Sequence, residues 1–432
     1  MIDKKILARI ILDFQKTKLP NIIERDLKIN LKIPIKRAIA ILGPRRCGKT
    51  YYLYSLIEKL LKNKIKKERI LYINFEDPKL VEADLSDLSA LLDIFYEIYP
   101  DNKNKKCWLF FDEIQNISKW ENFTRNIIDN ENAQIFLTGS SSKLLSKEIA
   151  TSMRGRTLNY LLLPFSFKEF LKVKNIQYKN KKFFSSEGKN KILNAFKIYF
   201  SRGGYPETIL YPIERKKIIE EIIEVTIYRD LIERYKIRNI KIIKLMFNYL
   251  VKSKEFSTHK FYNFLKSINI KVSKNSLYNY LEFFNDAFIF FPLRKFSFSL
   301  KKIEQSLPKI YIIDNAFISE IISEDDGKKM ENLVFLSLLG KGLNVNKDIF
   351  YYSNGNEVDF IIKEKNKIKS IIQVCCNITD FITKERETKA IIKAGEELKC
   401  NNLIVITYDY ENEEKIKNKK IKFIPLWKWL LE

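Results

Sequence analysis

Histidine is almost missing: His259 is the only one in 432 residues. Most zinc chemistry and the histidine-dependent catalytic triads fall away with it. The five cysteines, Cys47, Cys107, Cys375, Cys376 and Cys400, show no C-x-x-C spacing and read as free thiols of a reducing cytoplasm. No apolar run approaches the roughly 18 residues that a membrane-spanning helix needs. The opening "MIDKKILARIILDF" is broken by Arg9 and Asp13, so neither a membrane association nor a secretory signal is expected. Acidic residues are also in short supply, 53 against 78 lysines and arginines, for a net charge of +25.

Such a field favours polyanions, although a chain rich in Lys, Ile and Asn also suits an AT-rich genome or a hot habitat. Position helps to separate the two readings. Residues 229–305 hold 16 basic and 6 acidic side chains, a net of +10, whereas residues 306–432 hold 20 of each. With 46% hydrophobic and 30% charged residues the balance is that of a globular protein. The length suits two to four folded units.

The stretch "AIAILGPRRCGKTYYLYSLIEKLL" runs from an apolar segment through G-x-x-x-x-G-K-T to an apolar face at helical spacing. Strand, loop and helix in that order make a phosphate-binding loop. Its glycines let backbone N–H groups curl around phosphate, and the helix N-terminus adds its dipole. Gly43, Pro44, Arg45, Arg46, Cys47, Gly48, Lys49 and Thr50 are therefore the candidate nucleotide-binding residues. Lys49 is expected on the β- and γ-phosphates of ATP and Thr50 on Mg2+.

A second strand, "RILYINFED", and a third, "CWLFFDEIQ", follow, and the third delivers Asp112 and Glu113 to its C-terminal edge. Asp112 is expected to hold Mg2+ through water and Glu113 to polarise the attacking water. A fourth strand, "AQIFLTGSSS", ends in hydroxyls, of which Ser140 is the first choice for the γ-phosphate or the water and Thr138 the second. Arg154 and Arg156 then precede a fifth strand, where an arginine could reach a neighbouring subunit's nucleotide or simply face solvent.

"GPRRCGKT", "FFDEIQ", "LTGSSSKLL", "GRT" and "LLPFSFKEF" together resemble the archaeal and bacterial AAA+ ATPases that carry a C-terminal extension, a family close to the origin-recognition type. The resemblance covers nearly the whole chain. It implies a five-stranded parallel core with the P-loop and acidic strands adjacent, a helical lid, and ATP as ligand. It also implies Ser140 as a sensor and Arg156, ahead of Arg154, as an arginine finger acting across a homo-oligomer. The lid should contain "YFSRGGYPETIL", broken at Gly203, Gly204 and Pro206. Arg202 and Arg229 both remain open as its phosphate contact. Arg45 and Arg46 could meet phosphate, an acidic neighbour or a partner.

From about residue 239 three helical segments, the second and third capped by Ser257 and Ser273, lead into two hairpin strands, the pattern of a winged helix. Lys271, Lys274, Asn275 and Tyr278 would then face DNA, with Arg294, Lys295, Lys301 and Lys302 on the wing. Phe283, Phe284, Phe288 and Phe290 read as core. Winged helices also bind proteins, so a nucleotide-dependent signalling switch is the alternative.

The last hundred residues, helix, hairpin, strand, helix, strand, resemble the PD-(D/E)XK nuclease fold. Glu331 and Asp359 match its first two acids. Gln373 and Cys375, in "IIQVCC", stand where that fold places a carboxylate and a lysine. Gln373 keeps an oxygen for a metal, but a thiol cannot replace an ammonium. A retained fold used for binding or assembly is expected, with an ATP-gated nuclease as the alternative. The expected division is 1–170 ATPase core, 171–238 lid, 239–315 winged helix and 328–432 nuclease-like domain.

Overall fold

Five short strands form one parallel sheet: β1 Ala38–Leu42, β2 Ile70–Asn74, β3 Cys107–Asp112, β4 Ala133–Gly139 and β5 Thr157–Leu161. The computed structural model describes residues 2–31, 35–140, 153, 155–178, 186–322, 324–378, 380–416 and 418–432. The chain divides into two compact units, Met1–Leu163 and Pro164–Glu432.

In the first unit the strand order is β2-β3-β4-β1-β5. Helices cover the sheet, so its central strands are buried on both faces and read as continuous apolar runs. Ile39, Ile41, Phe110 and Phe136 meet Leu53, Leu56 and Ile57 of the helix Lys49–Lys62 in one core. Phe110 and Phe136 stack with centroids 4.6 Å apart. The expectation that the P-loop strand and the acidic strand are neighbours does not hold, because β4 pairs with β1 on one side and β3 on the other. From Gln134 onward β4 is buried, and it places the hydroxyl of Thr138 between the two functional strand ends.

The second unit begins with helices, among them Ser186–Arg202, Pro206–Leu210 and Arg215–Val225. The expected break falls at Gly203, whose φ is +74°, and Gly204, whose N–H donates to Asp314 Oδ2 at 2.7 Å. A Cβ on Gly203 would lie 1.6 Å from Asp314 Oδ1, so the site admits only glycine. Helices Ile240–Lys252, Thr258–Ser267 and Lys274–Asp286 follow. Ser257 and Ser273 cap the second and third, each accepting an N–H from three residues on. Strands β6 Phe290–Leu293 and β7 Lys309–Ile312 then pair antiparallel. Phe284, Phe288 and Phe290 are buried, as expected of core aromatics, whereas Phe283 is only half-buried and stacks on Tyr235.

A mixed sheet closes the unit: β8 Ile349–Asn354, β9 Asn356–Glu364, β10 Lys367–Cys375, β11 Leu403–Thr407, β12 Asn412–Ile416 and β13 Lys419–Pro425, in the order β12-β13-β11-β10-β9-β8. Helices Asp326–Gly340 and Phe381–Glu397 belong to the same α/β assembly. The last strand gives way to a helix, Leu426–Trp429, directly after Pro425. Proline lacks the N–H that a continuing ladder needs and suits a helix start.

Candidate functional site

Lys49 is the first residue of its helix, and Gly48 before it sits in the left-handed region at φ 97°. Gly43 runs so close to β5 that a Cβ there would meet Leu162 O at 2.2 Å. Both glycines are therefore required by the path of the loop. Arg46 also takes a positive φ, 62°. Arg45 donates to Glu76 Oε1 at 3.1 Å, which favours the acidic neighbour among the three roles open for it. Cys47 is buried, and burial pushes its thiol up, against Lys49 and Arg25, which pull it down.

The Lys49 ammonium is buried and donates to Gly43 O at 3.3 Å and Pro44 O at 3.2 Å. It also pairs with Glu113 Oε1 at 3.1 Å. Burial works against its charge, but Glu113, Cys47 and Asp112 outweigh that and hold its pKa above the ordinary lysine value. For Glu113 burial acts upward and is outweighed by Lys49, so this carboxyl stays below the usual range and ionised at neutral pH. Glu113 takes the left-handed conformation, φ 53°, which turns it off the end of β3. Gln115 Nε2 donates to its second oxygen.

Asp112 is fully buried, and burial, with Glu113 beside it, raises its pKa. Hydrogen bonds from Thr138, Thr50 and Tyr72 act the other way. Tyr72 Oη donates to Asp112 Oδ2 at 2.9 Å and Thr138 Oγ1 to Oδ1, while Thr138 Oγ1 accepts the Glu113 N–H at 2.8 Å. One hydroxyl thus ties both acidic residues to β4. Thr50 and Asp112, the two residues expected on Mg2+, are brought into hydrogen-bonding contact at the C-terminal edge of the sheet.

Ser140 is buried just past the end of β4. Arg156 is partly exposed and paired with Asp129 of its own unit. Arg154 lies outside the described residues. Arg202 ends a helix of the second unit, and Arg229 lies in its π-helical segment Thr226–Glu233. In the first unit two residues were missed by sequence reasoning. Tyr72 sits on β2 amid apolar neighbours and reads as core. Arg25, 22 residues before Cys47, donates to Cys47 O at 3.0 Å and to Leu163 O at 2.6 Å, and nothing local marks it.

In the second unit, Lys271, Lys274, Asn275 and Tyr278 are all exposed near the start of the helix Lys274–Asp286. Lys301 and Lys302 are exposed in the β6–β7 connection. Arg294 is instead tied to that connection, donating to Ser306 O at 2.8 Å and Glu304 O at 3.1 Å.

Glu331, Asp359 and Gln373 do converge, on a cavity of about 590 Å3. At its floor the buried Lys309 ammonium lies 3.0 Å from Glu331 Oε1, 2.9 Å from Glu357 Oε1 and 2.8 Å from Asp359 Oδ1. Burial opposes the Lys309 charge, but Asp359, Glu331 and Glu357 hold its pKa well above the ordinary value. Burial and the neighbouring Glu331 raise Asp359 to about 6. Glu331 is half-buried, and burial pushes its carboxyl up, yet Lys309 and Tyr311 keep it below the usual range. The Gln373 carboxamide oxygen accepts the Asp359 N–H at 3.2 Å, and its nitrogen donates to Glu387 Oε2 at 2.7 Å. Among the described residues no group of three or more His, Cys, Asp or Glu side chains is arranged to hold a metal ion. No described helix is long and apolar enough to cross a membrane.

Residues 35–171 match a family model described as an AAA domain. Residues 193–327 and 326–429 match two models each described as a domain of unknown function, DUF8612 and DUF4143. An uncharacterized protein of Methanocaldococcus jannaschii is 44% identical over 100% of this chain and 96% of its own length. An uncharacterized protein of Haemophilus influenzae is 27% identical over 90% of this chain and 93% of its own. Among solved structures, the Aeropyrum pernix ORC1 protein in complex with DNA is 10% identical, covers 79% of this chain and 93% of its own, and has a TM-score of 0.31. At that distance the likeness says nothing of ligand or partner. The first unit has the five-stranded parallel sheet of a P-loop AAA+ fold, and the second contains a further α/β domain with a mixed sheet.

Proposed function

We propose, for a chain that belongs to one family with the archaeal protein matching it from end to end, the function of a Mg2+-dependent AAA+ ATPase whose nucleotide state drives or switches a DNA-binding winged helix. The carrying observation is the closed set at the sheet edge. Lys49 is held against Glu113 and the P-loop carbonyls, with Thr50 and Thr138 both on Asp112.

Each residue then has a task. The backbone N–H groups from Gly43 to Thr50 cradle phosphate, and Lys49 exchanges its contacts for phosphate oxygens. Thr50 and Asp112 are of the hard-oxygen type that Mg2+ takes, and the ion, when bound, neutralises phosphate charge. Glu113, released by Lys49 and still ionised, accepts a hydrogen bond from water and withdraws its proton. Ser140 hydrogen-bonds the terminal phosphate or that water. Arg156 leaves Asp129 to reach a neighbouring subunit's nucleotide, so the active form is a homo-oligomer.

The DNA part is supported by the +10 charge of residues 229–305 and by the exposed Lys271, Lys274, Asn275 and Tyr278. ATPase assays with and without single-stranded, duplex and junction DNA test the whole proposal, with Lys49→Ala and Glu113→Gln as controls. Hydrolysis unchanged in Lys49→Ala would overturn it. Absence of DNA affinity at low salt would leave the protein-binding switch as the reading.

A further inference from the structure

We infer that the cavity around Glu331 and Asp359 is a cation site whose cation is the protein's own Lys309, so that this pocket works without a metal and locks the β6–β7 hairpin to the mixed sheet. The inference does not depend on the ATPase reading.

An ammonium has three N–H donors, and here each has its own carboxylate within 3.0 Å: Glu331 on the helix Asp326–Gly340, Glu357 and Asp359 on β9. The side chain is 1% exposed, so water has no share in that coordination. These carboxylates have further partners, on the second oxygen for Asp359 and on the same oxygen as Lys309 for Glu331 and Glu357. Val374 N–H donates to Asp359 Oδ2 at 2.9 Å, Tyr311 Oη donates to Glu331 Oε1, and Lys254 pairs with Glu357 at 2.8 Å. A divalent ion bridging Glu331 and Asp359 would lie within a few ångströms of the Lys309 charge, which opposes its binding. The residues present therefore do not fit a metal while Lys309 is in place.

The lysine comes from a different part of the unit than the acids. Lys309 opens β7, in the segment of one family match, and the carboxylates lie in the next. Lys309 thus keys one segment into the other through a charge that is buried only because it is paired. Removing the charge would leave three carboxylates facing one another, an arrangement that a hard divalent cation relieves.

The test is Mn2+ binding to the nucleotide-free full chain, followed by electron paramagnetic resonance. Wild type should show no Mn2+ site that Asp359→Asn removes. Lys309→Met should gain one Mn2+, bound at least tenfold more tightly than anything in wild type, and Asp359→Asn added to it should abolish that gain; Lys309→Arg should gain none. An Asp359-dependent Mn2+ in wild type, or no gain in a folded Lys309→Met, would overturn the inference. Should Lys309→Met fail to fold, Fe2+-directed backbone cleavage of the wild type decides: an intact backbone around residues 331, 359 and 374 supports the lock, and cuts there refute it. Mg2+-dependent DNA cleavage by wild type that Lys309→Met abolishes would make Lys309 a catalytic residue and refute it as well.

Discussion

Replacing Thr138 by valine keeps the shape of the side chain and removes only its hydroxyl. That hydroxyl donates to Asp112 and accepts from the Glu113 N–H, and both Thr138 and Asp112 are 0% exposed. The Glu113 N–H would be left without its partner in a place water does not reach, at a cost of about 1–3 kcal/mol. Asp112 keeps Tyr72 and Thr50, so its loss lies toward the low end of the roughly 1.5–3 kcal/mol typical of a hydrogen bond to a charged group. The sum is about 3 kcal/mol, which for a unit of this size lowers the melting temperature by roughly 6–12 °C. Urea and thermal unfolding of the full chain, followed by tryptophan fluorescence, measure it; Trp108 and Trp120 report the first unit. Thr138→Ser, which keeps the hydroxyl, should lose less than about 1 kcal/mol. A Thr138→Val protein as stable as Thr138→Ser would refute the tie between β4 and the acidic strand. The same change removes one of the bonds that hold the Asp112 pKa down, so the Mg2+ requirement should move to higher pH in Thr138→Val.

Glu113→Gln should retain nucleotide and slow hydrolysis at least about 100-fold, measured by phosphate release at saturating ATP. Gly203→Ala sets a methyl onto Asp314 at a left-handed position and should cost more than about 2 kcal/mol by denaturant unfolding. Asp314 is raised by burial to about 6, so the folded state holds its proton more tightly than the unfolded state. Its contribution to stability therefore falls as pH rises through the window between the ordinary carboxylate value and 6. Relative to Asp314→Asn, wild type should lose roughly 2.5 kcal/mol between pH 4 and pH 7, read from urea curves at each pH. Removing Lys274 should weaken DNA binding evenly across sequences and reduce the slope of affinity against salt by about one ion.

Much of the first unit was legible because its signals are local. The strands β1 to β4 are largely apolar runs of five to seven residues, and the P-loop is a contiguous pattern. Strand order was not legible, since β1, β3 and β4 are about equally apolar and nothing in a buried run names its neighbour. That one gap hid the part played by Thr138, which touches the acids only because β4 lies between β1 and β3. Arg25 escaped for a related reason: its partners are backbone carbonyls at Cys47 and Leu163, and carbonyls leave no trace in a sequence. In the second unit the caps at Ser257 and Ser273 were read from single residues. Strand β12, "NEEKI", was missed because a polar strand at the end of a sheet shows no apolar run.

The C-terminal pocket shows why a missing residue in a motif is an incomplete observation. Gln373 and Cys375 on β10 mark where a carboxylate and a lysine are wanting, and that much is visible in the sequence. Lys363, Lys365, Lys367 and Lys369 stand nearby in the sequence, but none of them reaches the acids among the ion pairs described. The amine that does reach them stands 50 positions before Asp359, on a strand read as part of a wing. Its burial is the discriminating fact. A surface lysine beside carboxylates contributes little, whereas one that is 1% exposed exists there only if its charge is matched. Lys309→Ala should therefore destabilise the second unit by about 3–5 kcal/mol, the cost of leaving paired charges buried alone. Adding Glu357→Gln should restore part of that loss, because it removes one of the three carboxylates left facing each other. A double mutant no more stable than Lys309→Ala would mean that Glu357, the least buried of the three, has a partner in water and stands outside the lock.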